Sequence, residues 1–229
     1  RADDGSGPLA LPSRVMKSLW DDAEASAFID RFSPESNRDV ALRTYTSRLL
    51  GRDPSLVLHG GGNTSVKTEL PDRVTGDLIE VLCVKGSGWD LVDIEPPGLP
   101  AVRLDPMRRL RGVERLSDEE MVNQIRTQLL DVSSPTPSVE TLLHAFLPQR
   151  FVDHTHADAI LVLTNQVDGD AMIREAMGEE VPLLPWIMPG HPLAEAVADA
   201  VEQHPNCPGV VLLHHGIFSF GEDARESYE

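Results

Sequence analysis

The sequence predicts a layered α/β domain on three observations. Apolar residues recur at helical spacing early, in the middle and late in the chain; short β-branched runs stand between turns rich in Gly, Pro and Asp; and 229 residues with 41% hydrophobic content suffice for a sizeable core. The whole of 1–229 reads as one domain. Helices before, between and after the strands supply cover for both faces of a sheet, which is the layered arrangement.

Taken in order, residues 1–12 are rich in Gly and Pro and are expected to be flexible, and the absence of an initiator Met reads as processing or trimming. Segments 13–32 and 37–50 have helical spacing, the second stopped by Gly51. Strands are expected over 56–59, 65–69 and 79–84. Ser117-Asp118-Glu119-Glu120 forms a capping box that opens a helix to about Leu130. Ser138 caps the next helix, with Val139, Leu142, Leu143 and Phe146 as its apolar stripe, Glu140 on the polar side of its first turn, and Pro148 as its end. Strands over 151–155, 159–164 and 210–220 follow, separated by a helix whose first turn carries Pro192. From Gly221 the chain opens a helix that stops early, so the C-terminus reads as truncated.

Composition narrows the function classes. The net charge is −17, and from Phe151 onward only Arg174 and Arg225 are basic, against fourteen acidic residues. Such a surface repels nucleic acid and anionic membranes, so neither is expected as a partner. An anionic ligand would find its positive contacts in the first 150 residues or in backbone N–H groups. No run long and apolar enough to span a bilayer exists and no secretion signal opens the chain, so a cytoplasmic protein is expected. Cys83 and Cys207 lack metal-type spacing and read as buried thiols.

Two histidine-bearing apolar runs carry chemistry. In Asp153-His154-Thr155-His156, strand alternation puts His154 and His156 on one face, where their ring nitrogens can converge on one ion. A third imidazole from a neighbouring strand, such as the one holding His214 and His215, would complete the three-ligand set of a catalytic zinc. Two glycine-rich turns, Leu58 to Lys67 and Val81 to Trp89, each contain a lysine and read either as tight hairpins or as anion-binding nests. Neither matches a phosphate loop or a dinucleotide fingerprint, so no NAD site is expected within this chain.

Together the motifs Gly-Gly-Asn-Thr-Ser-Val-Lys at 61–67, Lys-Gly-Ser-Gly at 85–88, Pro-Ser-Val-Glu at 137–140, His-Thr-His-Ala at 154–157 and His-Gly-Ile-Phe-Ser-Phe-Gly at 215–221 resemble the class II aldolase/adducin family, in its order and over roughly residues 40–221. More narrowly, the chain resembles the aldolase portion of bacterial bifunctional rhamnulose-1-phosphate aldolase/alcohol dehydrogenases, whose dehydrogenase half would lie beyond Glu229. The resemblance implies a three-layer α/β/α sandwich around a central, mostly antiparallel sheet. It implies a zinc ion held by His154, His156 and His215, with His214 as a structural neighbour, and Glu140 as the proton-transfer residue. Asn63, Ser65, Gly86, Ser87 and Ser138 correspond to substrate- and phosphate-binding positions; Val139 stands where some relatives have a further serine. The implied reaction is reversible cleavage of a ketose 1-phosphate, of rhamnulose-1-phosphate type, to dihydroxyacetone phosphate and a hydroxyaldehyde such as lactaldehyde, in a homo-oligomer of up to four subunits. A sugar-phosphate 4-epimerase and an adducin-like interaction domain are the alternatives. Asp153 and Asp158, beside the ligand strand, read as solvated or helix-capping carboxylates outside the site.

Overall fold

A computed structural model of the chain describes residues 16–33 and 35–229; the expected flexible segment 1–12 and the start of the first predicted helix lie outside them. The helices are α1 (Asp22–Phe32), α2 (Arg38–Gly51), α3 (Leu104–Arg108), α4 (Asp118–Thr127), α5 (Thr141–Phe146), α6 (Asp158–Thr164), α7 (Gly169–Met177), α8 (His191–Gln203) and α9 (Ala224–Tyr228). The strands are β1 (Asn63–Pro71), β2 (Leu78–Val84), β3 (Ala101–Arg103), β4 (Phe151–Thr155), β5 (Leu183–Leu184), β6 (Gly209–Leu212) and β7 (Gly216–Gly221). They form a seven-stranded sheet in the order β3-β2-β1-β4-β7-β6-β5. Among the described residues only the β5–β6 pair is parallel. No helix among them is long and apolar enough to cross a membrane.

Strand alternation sorts the core into two sides. Leu82, Val84, Val102, Val152, Val210, Leu212, Phe218 and Phe220 point to one face and pack with residues of α3, α4, α5 and α8. Val66, Val81, Cys83 and Phe151 point to the other, under α2 and α9, where α6 and α7 add Ile160 and Ile173 against Val211. This is the expected α/β/α layering. It makes the second face of β4 informative, because Asp153 shares it with Phe151.

Local start and stop signals behave as chemistry requires. Asp21 accepts from the Glu24 N–H, Asn37 from the Val40 N–H and Ser117 from the Glu120 N–H, each satisfying a free helix donor. Pro192 sits at the start of α8. Four expectations differ. Residues 56–59 are a turn, with Leu58 exposed and His59 at φ 50°, because Asp53 folds back on the Ser55 N–H. Residues 159–164 are helix, since a short apolar run does not distinguish strand from buried helix; Ile160 and Thr164, four apart, are buried while Val162 is exposed. The run 210–220 is a hairpin, β6 and β7, broken at Leu213–His215 by His214 at φ 60°. Finally, α5 begins at Thr141, with Ser138 making a turn before it through a 3.2 Å bond from the Glu140 N–H; Val139 therefore projects into solvent and Glu140 is buried at the N-cap.

Two buried charges are set into this frame. The Lys67 ammonium donates to the Gln149 carbonyl at 2.6 Å, and burial followed by nearby Arg108 brings its pKa down to about 7. Asp153, contrary to the expectation of a solvated carboxylate, is buried and paired with the equally buried Arg43 of α2 at 2.5 Å. Arg43 also donates to Thr46 Oγ1 and lies over the Phe151 ring, so the pair ties α2 to β4. Removing one partner leaves an uncompensated charge in the core. Arg43→Met is expected to lower unfolding stability by about 3–5 kcal/mol in urea titrations, and Asp153→Leu added to it to recover most of the loss. An Arg43→Met midpoint equal to wild type would show the pair to be dispensable.

Candidate metal centre and active site

β4 lies between β1 and β7, and its register places Asn63 and Phe218 on either side of His154. The His154 ring stacks on Phe218 with centroids 4.1 Å apart and planes 10° apart, and its Nδ1 lies 3.1 Å from the Ile217 carbonyl. A carbonyl only accepts, so Nδ1 carries the proton and Nε2 keeps its lone pair for a ligand. His156 follows just beyond the strand end, its Nε2 3.0 Å from that of His154. His215 comes from the β6–β7 turn rather than from a strand face, and one ring nitrogen from each of the three histidines lies within 4.8 Å of the others. His214 is exposed in the same turn and pairs with Asn165 at 2.8 Å, which removes it from the cluster.

Burial, then the neighbouring imidazoles, brings His154 down to about 3 and His215 to about 4. Near neutral pH both rings are therefore uncharged, the form a metal ligand requires. Glu140 closes the arrangement from the N-terminus of α5. Its Oε2 is 3.7 Å from His154 Nε2 and its Oε1 is 3.6 Å from His215 Nε2. Burial pushes its pKa up, against the Asn63 hydrogen bond and the facing histidines. Oε1 is buried without a hydrogen-bond partner among the described residues. Three converging imidazoles beside a partnerless carboxylate oxygen are a donor set that suits a divalent cation.

The phosphate-binding expectations fare unevenly. Asn63 and Ser65 share the face of β1 that looks toward α5, where both are buried and already engaged: Asn63 Nδ2 donates to Glu140 Oε2 at 2.6 Å, and Ser65 Oγ is 2.7 Å from His144 Nδ1. Neither side chain is open to a phosphate. Gly86 and Ser87 donate their N–H groups to the Gly98 and Thr136 carbonyls, so they form no free backbone nest; the Ser87 side chain is exposed. Ser138 is half-buried two residues before Glu140. The nearby cation is Lys85, buried, with its ammonium on the Gly60 carbonyl at 3.2 Å and no carboxylate within ion-pair distance among the described residues. His144, which the sequence reading passed over, completes the cluster: its Nε2 is 2.5 Å from Asn63 Oδ1. The signal was its position four residues after Glu140, on the same helix face.

Close approach also explains a glycine. A Cβ at Gly216 would stand 2.3 Å from the Thr155 carbonyl oxygen and 3.2–3.3 Å from the rings of His156 and His154. Gly216→Ala is expected to lower unfolding stability by about 1–3 kcal/mol, since the first β7 residue must move off β4. Wild-type stability in that variant, measured by urea titration, would contradict the packing described.

Comparison with known proteins follows the same lines. Residues 42–229 match the model of the class II aldolase and adducin N-terminal domain. The chain is 35% identical over 215 residues to the uncharacterized oxidoreductase YuxG of Bacillus subtilis strain 168, covering 94% of this chain but only 30% of that protein's length. The solved N-terminal class II aldolase domain of a conserved protein from Thermoplasma acidophilum is 39% identical, with a TM-score of 0.78 over 96% of this chain and 93% of that one. A sugar-phosphate aldolase from Thermotoga maritima shares the fold at 16% identity, with a TM-score of 0.58 and coverage of 82% and 87%. On the family match and the identity to the Thermoplasma acidophilum domain alike, the chain belongs to the class II aldolase and adducin N-terminal domain family.

Proposed function

We propose that this chain is a metal-dependent class II aldolase that cleaves a ketose 1-phosphate between C3 and C4, of the rhamnulose-1-phosphate type. The observation that carries the reading is Glu140 Oε1, a buried carboxylate oxygen with no hydrogen-bond partner among the described residues, facing a cluster of three imidazoles. Among family relatives, some are named as sugar-phosphate and fuculose 1-phosphate aldolases, which supports the substrate class.

In this reading His154, His156 and His215 hold a divalent ion, zinc by preference. When bound there, such an ion supplies Lewis-acid stabilisation of negative charge on substrate oxygens. The chain's own part is proton traffic and binding. In condensation, Glu140 takes a proton from C3 of dihydroxyacetone phosphate, whose electron pair then attacks the aldehyde carbon. In cleavage the C4 hydroxyl gives its proton to water, the C3–C4 bond breaks with its electron pair left on C3, the aldehyde departs, and protonated Glu140 delivers its proton to C3; condensation runs the same steps in reverse, with water protonating the new C4 oxygen. No lysine Schiff base is needed. Ser87 and Ser138, from the wider set first expected, take the phosphate end together with Lys85. The Lys85 ammonium supplies a positive charge of the kind that is scarce in the acidic second half of the chain.

Elemental analysis of purified protein is expected to find about one divalent metal per chain, lost in His154→Ala. No metal after zinc addition would overturn the aldolase reading in favour of an interaction domain. Glu140→Gln is expected to keep the metal and lose about 10²–10⁴ in turnover of rhamnulose-1-phosphate, assayed by release of lactaldehyde. An epimerised sugar phosphate in place of free aldehyde would identify a 4-epimerase.

A further inference from the structure

Behind Glu140 the polar side chains form a chain whose hydrogen positions follow from donor and acceptor chemistry alone. Glu140 Oε2 accepts from Asn63 Nδ2, so the Asn63 amide turns its Oδ1 to His144. An amide oxygen only accepts, so His144 carries its proton on Nε2. Burial keeps that imidazole neutral, leaving a lone pair on Nδ1 to accept from the Ser65 hydroxyl. The separations are 2.6, 2.5 and 2.7 Å, and Ser65 and His144 are wholly buried, edge-packed under Phe218.

One end of this chain is fixed in the sheet and the other ends on a single carboxylate oxygen. A carboxylate otherwise turns freely between its two equivalent orientations. Here Oε2 is held by an amide donor and Oε1 has none, so the two oxygens are chemically distinct. Resting on the aldolase reading of Glu140, we propose that Ser65 and His144 are positioning residues which, through Asn63, hold Glu140 so that Oε1 alone faces the reacting carbon and exchanges the proton. Neither residue is exposed enough to touch a substrate, so any effect on turnover passes through Glu140. The chain thereby gives the two buried motif residues Asn63 and Ser65 a task other than phosphate binding.

The test compares Ser65→Ala, His144→Phe and His144→Gln in the metal-loaded full chain. Loss of orientation is expected to lower kcat roughly tenfold or more in His144→Phe, less in Ser65→Ala, with KM within about twofold of wild type and metal content unchanged. His144→Gln, whose amide can donate to Asn63 Oδ1, is expected to recover most of the loss, which a purely structural role would not predict. Ser65→Ala removes only a hydroxyl and keeps the comparison open if His144→Phe does not fold. Nitrogen-15 spectra of histidine-labelled protein are expected to show His144 protonated at Nε2 and bare at Nδ1. The opposite tautomer, or wild-type kcat in both Ser65→Ala and His144→Phe, would overturn the inference while leaving the aldolase reading intact. A wild-type chain that cleaves no sugar phosphate would overturn that reading and this inference with it.

Discussion

The two ladders made by β4 are the constraint on which the site depends. Pairing with β1 puts Asn63 beside His154, and pairing with β7 puts Phe218 on its other side. A slip of one residue in either ladder would turn His154 to the opposite face and bring Asp153 into the apolar layer under α5. The ion pair with Arg43 opposes such a slip, because Asp153 finds a compensating charge only on its native face. A buried pair of this kind adds little net stability over an apolar one. Its contribution here is register, and through register the direction in which a histidine points.

The interior thus holds two polar systems back to back across one strand, the Arg43–Asp153 pair under α2 and the Ser65–His144–Asn63–Glu140 chain under α5. They differ in kind. In the first, opposite charges neutralise each other, while in the second three neutral side chains hand hydrogen bonds along to one oxygen of a carboxylate. Buried polar atoms are mostly paired, and Glu140 Oε1 and His215 Nδ1, both at the histidine cluster, are among the few buried side-chain atoms of the described residues without a hydrogen-bond partner.

Much of the fold was legible in the sequence because the dominant signals are local. Capping residues at Asn37 and Ser117, Pro192 at a helix start and the strand-forming runs 65–69 and 79–84 each act over a few residues. The pairing of His154 with His156 was legible for the same reason. What escaped was non-local or ambiguous. The run 159–164 satisfies strand and helix equally until Val162 is seen in solvent, and the break at His214 depends on a left-handed residue that is not glycine. Arg43 gains its partner 110 positions away, and the role expected of Ser65 changed because His144, on another element, claims its hydroxyl. Motif order located the site, but which side chains remain free for a ligand depended on tertiary hydrogen bonds.

The origin of the three histidines ties ion affinity to the order in which the domain assembles. His154 and His156 are neighbours on one short segment, whereas His215 arrives only when the β6–β7 hairpin docks along β4, closing a loop of 59 residues from His156. Closing such a loop carries an entropic penalty that two local ligands avoid. An ion gripped by all three would therefore bind the docked hairpin and not the undocked one, and by thermodynamic linkage it would tighten the β4–β7 seam by as much as the seam tightens its grip. With an ion bound there, chelator sensitivity and opening of that seam would be two readings of one equilibrium.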